Sequence, residues 1–508
     1  MDLAGTLENI GKTRPNGTAL VFRDEKISYA ELSRQVRQCA AGLARIGVGR
    51  GDRFALVMRN SPEFVIISYA LARIGAIAVP LNFLLKPGEI RYVLEHSGAV
   101  GAATQRHYVA TLKEAARRLP AFAHLICCGD GELEGARSFS ELMREEAAEP
   151  PVAREEDVAC ILYTSGTTGK PKGVMLTHGN LLSNVSSCDR AIEIRREDVF
   201  ICLLPMFHTF AWTTCVLLPL SLGNEVVVVE SIQPFKEVAT QVRKHHVTIF
   251  IAVPPVFAAM SRMPFWRPLR FLLPLRLCVS GGAPLPKGVL ERFEAKFGLP
   301  LVEGYGLTET SPVVSLNPVG GEHRPGTVGL VIPNVEVIIK GADGSEVGLG
   351  EVGEVCVRGP NVMLGYFNDP ESTRQTIDSD RWLHTGDLGR MQSGGYIEIV
   401  DRAKDLIIVK GLNVYSREVE DVLLTHPSVA EAAVIGVPDD TGDEMVKAFV
   451  VLKEGRSLDK SELFGLCRTH LAAYKMPKDI ALASFLPKNS LGKVLKRELK
   501  EDVGAAVS

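Results

Sequence analysis

At 508 residues, with 46% hydrophobic and 23% charged side chains, the chain has ordinary globular composition and more length than one hydrophobic core serves, so two or more domains are expected. A formal net charge of −3 excludes the basic footprint of a protein whose main partner is nucleic acid. None of the ten cysteines forms a C-x₂-C pair, which excludes a zinc ribbon or thioredoxin-like motif and fits buried, reduced thiols in a cytoplasmic protein.

Met1 to Pro15 holds no basic stretch followed by an apolar one, so no secretory signal is expected. Ser28-x-x-Glu31 has the form of a capping box, and Leu32, Val36, Leu43 and Ile46 recur behind it at helical spacing until Gly47. Phe54–Met58 then reads as a strand, Ser61-Pro62 to Arg73 as a helix, and Ala76–Val79 as a second strand. That is the βαβ texture of a parallel sheet. Gly129–Arg154, acidic and small-residue rich, reads as a surface connection. The apolar stretch Val199–Leu222 carries Pro205, His208 and Pro219, so it is read as strand, turn and buried helix and not as a membrane span.

Between Arg262 and Arg276 four arginines alternate with apolar and aromatic residues, a composition suited to peripheral contact with an anionic lipid surface. Pro264, Pro268 and Pro274 preclude a long amphipathic helix there, and burial of those side chains is the stronger reading. From about Thr327, short strands at Val335–Ile339, Glu354–Arg358 and Tyr396–Val400, separated by Gly and Asp turns, predict a β-rich subdomain shaped as a distorted barrel. After Asp401-Arg402 a helix at 417–425, strands at 432–437 and 448–452 and a helix at 461–472 predict a separate α+β unit of about one hundred residues. The expected architecture is α/β: a large N-terminal domain, residues 1–402, of βαβ-type sheets plus the β-rich subdomain, followed by a small mobile α+β domain, residues 403–508.

The sharpest chemical signal is Thr164-Ser165-Gly166-Thr167-Thr168-Gly169-Lys170-Pro171-Lys172, directly after an apolar run. Glycines admit backbone N–H groups close to a polyphosphate, hydroxyls donate to its oxygens or reach a metal, and lysines offset its charge. Its spacing is not that of the Walker A loop, which disfavours a kinase or motor. Three further segments carry chemistry: Gly304-Tyr305-Gly306-Leu307-Thr308-Glu309, Trp382 to Asp387, and Leu491-Gly492-Lys493 near the end. Together with Asp401-Arg402-x-Lys404-Asp405 they resemble the adenylate-forming superfamily. Val362–Phe367 and 411–420 are most similar to bacterial long-chain fatty-acid–CoA ligases. Ser416 stands where many relatives have proline, at a helix start that a serine is expected to cap.

The resemblance implies ATP, Mg²⁺ and coenzyme A as reactants and cofactor, and a small carboxylic acid, a fatty acid first, as substrate. It implies phosphate contacts by Thr164, Ser165, Thr168 and the loop residues Gly166, Thr167, Gly169 and Lys172, with Mg²⁺ on Thr164 and Glu309. Gly281, Gly282 and Ala283 are expected to line the adenine and acyl side, and Glu303, Gly304, Tyr305 and Gly306 the adenine slot. Thr308 is expected at the α-phosphate, and Asp387 and Arg402 at the ribose. Lys493 is expected to bridge the acid carboxylate and the α-phosphate during adenylation. Lys404 is implied as the hinge, Lys410-Gly411 as part of the thiol route, His208 as a neighbour of the acyl carboxylate and Trp212 as a gate over the acyl tunnel.

Two other readings remain: delivery of the acyl group to a carrier-protein thiol, or an acid–CoA ligase whose acid is aryl or medium-chain. A binding module that keeps only the fold is disfavoured, because Glu309, Asp387, Arg402 and Lys493 are all present. A homodimer is left open by the sequence.

Overall fold

The computed structural model describes residues 2–129, 134–144, 153–164, 170–263, 273–410, 412–438, 444–489 and 492–507. Two large sheets carry the N-terminal part. In the eight-stranded one, strands Arg53–Val57, Ile77–Pro80, Gly101–Gln105, His124–Cys128 and Arg137–Ser138 run parallel. Strand Val158–Thr164 joins beside Ile77–Pro80 and turns back antiparallel as Lys172–Thr177. The nine-stranded sheet has parallel strands Thr18–Phe22, Glu225–Val228, Val199–Cys202, Ile249–Ala252, Leu277–Ser280 and Leu301–Gly306.

The local signals explain the elements. Ser28 caps the helix Tyr29–Arg45 by accepting from the Glu31 N–H at 3.2 Å. The return half of the expected capping box is absent among the described contacts, because the Glu31 carboxylate is taken by Arg34 and Gln35 on the helix surface. Ser61 and Pro62 open the helix Pro62–Arg73, whose near-continuous apolar face is buried between elements on both sides. In 129–154, the described parts are more than a surface connection: Arg137–Ser138 adds a strand to the sheet, and Leu142 is buried against Gly42.

From residue 336 the texture changes as expected to antiparallel strands, Glu336–Lys340, Gly353–Arg358, Leu383–Met391 and Ile397–Arg402. They form an open four-stranded order, and no pairing among the described residues closes the expected barrel. The hydrophobic clusters on either side of Arg402 share no residue. The smaller ones comprise side chains from Ile407 to Leu499 on a three-stranded sheet, Val429–Pro438, Glu444–Leu452 and Asp479–Ala483, flanked by helices Ser416–Leu424 and Lys460–His470. No helix among the described residues is long and apolar enough to cross a membrane. Most of the arginine-rich segment, residues 264–272, lies outside the described residues.

Ser416 departs from its expected role. Tyr415 occupies the cap position of helix Ser416–Leu424, and the fully buried Ser416 hydroxyl donates to the Asp401 carboxylate at 2.9 Å instead. It accepts in turn from Lys496 Nζ at 2.6 Å, and the same ammonium lies 2.6 Å from Glu420 Oε1. The cation on the last helix is thereby tied to the end of strand Ile397–Arg402. Burial pushes the Glu420 carboxyl up, and Lys496 opposes that shift. Removing Lys496 leaves a buried carboxylate without its partner, so Lys496→Met is expected to cost about 3–5 kcal/mol near neutral pH. The sign follows from the raised folded-state carboxyl: the penalty grows as pH rises above the ordinary glutamate range and fades as pH falls into it. Urea unfolding at pH 7.5 and at pH 5 checks this; an equal cost at both would contradict the assignment.

Candidate active site

The carboxyl ends of neighbouring parallel strands converge on one crevice, the usual ligand position in open α/β sheets. Ile251, Val279–Gly282 and Gly304–Gly306 line one side of a cavity. Phe210, Val313, Leu316 and Ile332 are among those lining the rest. Among the described residues its lining contains no ionisable side chain except the Tyr305 phenol and the Cys188 thiol. Ser280 Oγ borders it, fully buried and without a hydrogen-bond partner among the described residues. Two glycines keep this space open. A Cβ on Gly281 would lie 2.7 Å from Phe210 Cζ, and one on Gly306 would lie 1.9 Å from the Pro312 carbonyl oxygen.

Tyr305 joins this cavity to a polar cluster, because its hydroxyl donates to Asp387 Oδ2 at 2.7 Å. The other Asp387 oxygen, Oδ1, is 3.1 Å from Arg402 Nε, and the two residues are register partners in adjacent antiparallel strands. Asp387 is buried, so its charge is stabilised by these two donors and not by bulk water. Glu303, one strand position before Gly304, accepts from the Leu285 N–H at 2.9 Å. Burial pushes its carboxyl up to about 7. Glu309 sits in the short helical turn Thr308–Thr310; burial raises its carboxyl, and the Tyr366 hydroxyl donates to it at 3.0 Å.

Lys493 arrives from the C-terminal unit. Its backbone N–H donates to Asn489 Oδ1 at 2.9 Å, and Gly492 before it stands close to Pro255 of the N-terminal part. Partial burial brings the ammonium down to about 7. The charges of Arg402 and Lys404 push the same way, and Asp387 and Asp405 oppose them. Lys493 is therefore in electrostatic contact with the Asp387–Arg402 pair although some hundred residues separate them in the chain.

The other expected site residues fall into three groups. Thr164 ends its strand opposite Lys172, just before the glycine-rich stretch, whose residues Ser165, Gly166, Thr167, Thr168 and Gly169 lie outside the described ones, as does Gly411. Gly282 lines the cavity, Ala283 follows it in the chain, and Thr308 opens the short helical turn that carries Glu309. The remainder have other commitments. Lys172 Nζ donates to Ser372 Oγ at 2.8 Å and lies 5.0 Å from the Tyr366 ring centroid. His208 precedes a short helix, and burial brings its imidazole down to about 4, so it is neutral at physiological pH. Trp212 is buried, with Phe64 and Tyr69 at ring distances of 5.5 and 6.2 Å, and is not among the residues lining the cavity. Lys404 stands in the turn Ala403–Asp405, and Lys410 is exposed with φ of 50°. Sequence reasoning missed Tyr366 beside Glu309 and the cavity wall from helix His178–Ile192. The i, i+4 spacing of Cys188 and Ile192 was the available signal for the wall.

Comparison with known proteins covers nearly the whole chain. The profile of the AMP-binding enzyme family matches residues 7–367, and that of the AMP-binding enzyme C-terminal domain matches residues 418–493. A long-chain-fatty-acid–CoA ligase of Yersinia pestis is 35% identical, over 97% of this chain and 93% of its own. A feruloyl-CoA synthase of an Amycolatopsis species is 37% identical, over 96% of each. Among solved structures, ATP-bound MatB from Rhodopseudomonas palustris superposes with a TM-score of 0.92 at 30% identity, covering 100% of both chains.

Proposed function

Because this chain belongs to the AMP-binding enzymes, and within them to the adenylate-forming acid–CoA ligases, we propose that it converts an apolar monocarboxylic acid, a fatty acid first, into its CoA thioester through an acyl-adenylate. One observation carries the assignment of the site: Tyr305 borders the apolar cavity and holds Asp387 with its hydroxyl, so the acid and the nucleotide meet beside the Asp387–Arg402 pair, whose charges act on Lys493. In this reading the acyl chain fills the cavity, adenine lies along Glu303, Gly304 and Tyr305, and Asp387 accepts from the ribose hydroxyls with Arg402 beside it. The α-phosphate stands at Thr308 and Lys493, where an ammonium stabilises the charge that builds as the carboxylate oxygen attacks phosphorus. Neutral His208 borders the carboxylate without adding charge.

Thr164 and Glu309 offer the hard oxygen donors that Mg²⁺ prefers, and bound Mg²⁺ would offset the charge of the outer phosphates. We place the boundary between the two units at Arg402, with Lys404 as hinge. Lys493 and the incoming thiol, passing Lys410 and Gly411, cannot occupy one crevice together, so the C-terminal unit must turn between the half-reactions.

A screen of acid-dependent pyrophosphate release tests the substrate class. Straight-chain fatty acids should give the highest kcat/KM, and dicarboxylic acids should be rejected, because no cation among the described residues lines the cavity to receive a second carboxylate. A dicarboxylate as best substrate would overturn the reading. The two aromatic side chains at the cavity, Phe210 and Tyr305, favour a second reading, an aryl acid of the kind named for the feruloyl-CoA relative; the same screen separates the two.

Nucleotide binding should also move a proton. Free Lys493, held near 7, is mostly neutral at pH 8, and the added phosphate charge favours its ammonium. MgATP binding at pH 8 is therefore expected to take up most of a proton, read from calorimetric heats in two buffers of different ionisation enthalpy. Lys493→Met should lose the uptake; identical buffer dependence in both proteins would contradict it.

A further inference from the structure

Away from the crevice, strands Gly353–Arg358 and Leu383–Met391 bring three different donor types to one point. Glu354 and Cys356 are two residues apart and so share a face of their strand, and Cys356 is the register partner of His384 on the next. Glu354 Oε2 is 2.8 Å from His384 Nδ1, and Cys356 Sγ is 3.6 Å from the same nitrogen. Two carboxylates flanking the imidazole would account for His384 by themselves. They do not account for a thiol converging on the nitrogen that already faces Glu354, since that nitrogen has one hydrogen or one lone pair to offer. Among the described residues this is the one group of three or more His, Cys, Asp or Glu side chains whose donor atoms lie close enough to share an ion.

We propose that Glu354, Cys356 and His384 form a binding site for a thiophilic divalent cation of the Zn²⁺ type, distinct from the Mg²⁺ of the reaction. With Zn–S of about 2.3 Å and Zn–N of about 2.0–2.1 Å, a tetrahedral angle places sulfur and nitrogen about 3.6 Å apart, the spacing of Cys356 and His384 here; it places carboxylate oxygen and nitrogen about 3.3 Å apart, so Glu354 Oε2 draws back from its 2.8 Å hydrogen bond to Nδ1 as the ion enters. A thiolate, an imidazole and a carboxylate suit Zn²⁺ and are poor ligands for Mg²⁺ or Ca²⁺. On binding, the thiol releases its proton to solvent, and the ion's two positive charges are matched by the thiolate and the carboxylate. The fourth position is left to water.

The surroundings suit a metal-bound imidazole. Asp378 Oδ2 is 3.4 Å from His384 Nε2, so the second ring nitrogen faces a carboxylate that fixes its tautomer, and Lys340 balances Asp378 at 2.7 Å. Glu354 Oε1 meanwhile accepts from the Gly386 N–H at 2.9 Å. An ion on Oε2 therefore staples two strands immediately beside Asp387, and the expected consequence is a stiffer sheet. The side chains of Glu354 and His384 are about one-third exposed, which leaves the ion a path from solvent.

Titration of the chelator-treated full chain with Co²⁺ reads the site directly. One equivalent should produce a sulfur-to-cobalt charge-transfer absorption with tetrahedral ligand-field bands, Zn²⁺ should bleach it, and Mg²⁺ should not. Cys356→Ser should abolish the charge-transfer absorption. Glu354→Gln, the milder change, should keep it while weakening Co²⁺ binding at least tenfold. Zn²⁺ should raise the melting temperature of the wild type and not that of folded Cys356→Ser. The other nine cysteines are also buried, so an absorption that survives Cys356→Ser would assign the ion elsewhere and overturn the proposal. No cobalt–thiolate absorption in the folded wild type would overturn it equally.

Discussion

Lys493→Ala is expected to lower adenylate formation by two or more orders of magnitude while leaving thioester formation from supplied acyl-adenylate within a few-fold of wild type. The charge of Lys493 matters only while phosphorus is attacked and pyrophosphate leaves, and removing one such preorganised group costs about 10²–10³ in rate. The Lys493 backbone N–H is held by Asn489 within its own turn, and truncating the side chain leaves that bond in place. The folded variant should therefore keep its structure. Pyrophosphate exchange for the first half-reaction and acyl-CoA formation from added adenylate for the second separate the two. Equal loss in both would show that Lys493 supports the fold or the thiol step as well.

The converse pattern is expected for Lys404→Pro. Residue 404 is the second position of the turn Ala403–Asp405, where a missing N–H breaks no bond within the turn, so the present arrangement tolerates proline. A fixed φ opposes the backbone rotation that carries Lys493 away and admits the thiol. Adenylation should stay within a few-fold of wild type while thioesterification falls by at least tenfold. Wild-type rates in both half-reactions would place the hinge elsewhere.

Much of this could be read from the residues because local rules sufficed. Ser28 and Ser61-Pro62 announce helices that form as expected. Contacts across long stretches of chain were not legible. The Ser416 hydroxyl has two uses available, capping its own helix or bonding Asp401, and the second prevails because strand Ile397–Arg402 brings a buried carboxylate to it. Nothing local to Lys496 shows that its partners are Ser416 and Glu420, some eighty residues earlier. The cavity wall was hidden for a similar reason. Its residues come from a helix and several strand ends, and in each element taken alone they look like ordinary core. The barrel expectation failed because alternation predicts strands without saying whether the outer two pair.

The most direct test is the product balance with a straight-chain fatty acid, ATP, Mg²⁺ and free CoA. The two-step account predicts acyl-CoA, AMP and pyrophosphate in equal amounts, no ADP, and thioester formation that saturates with CoA. Formation of ADP and phosphate, or pyrophosphate release that consumes no CoA while the acyl group passes to a carrier-protein thiol, would contradict it.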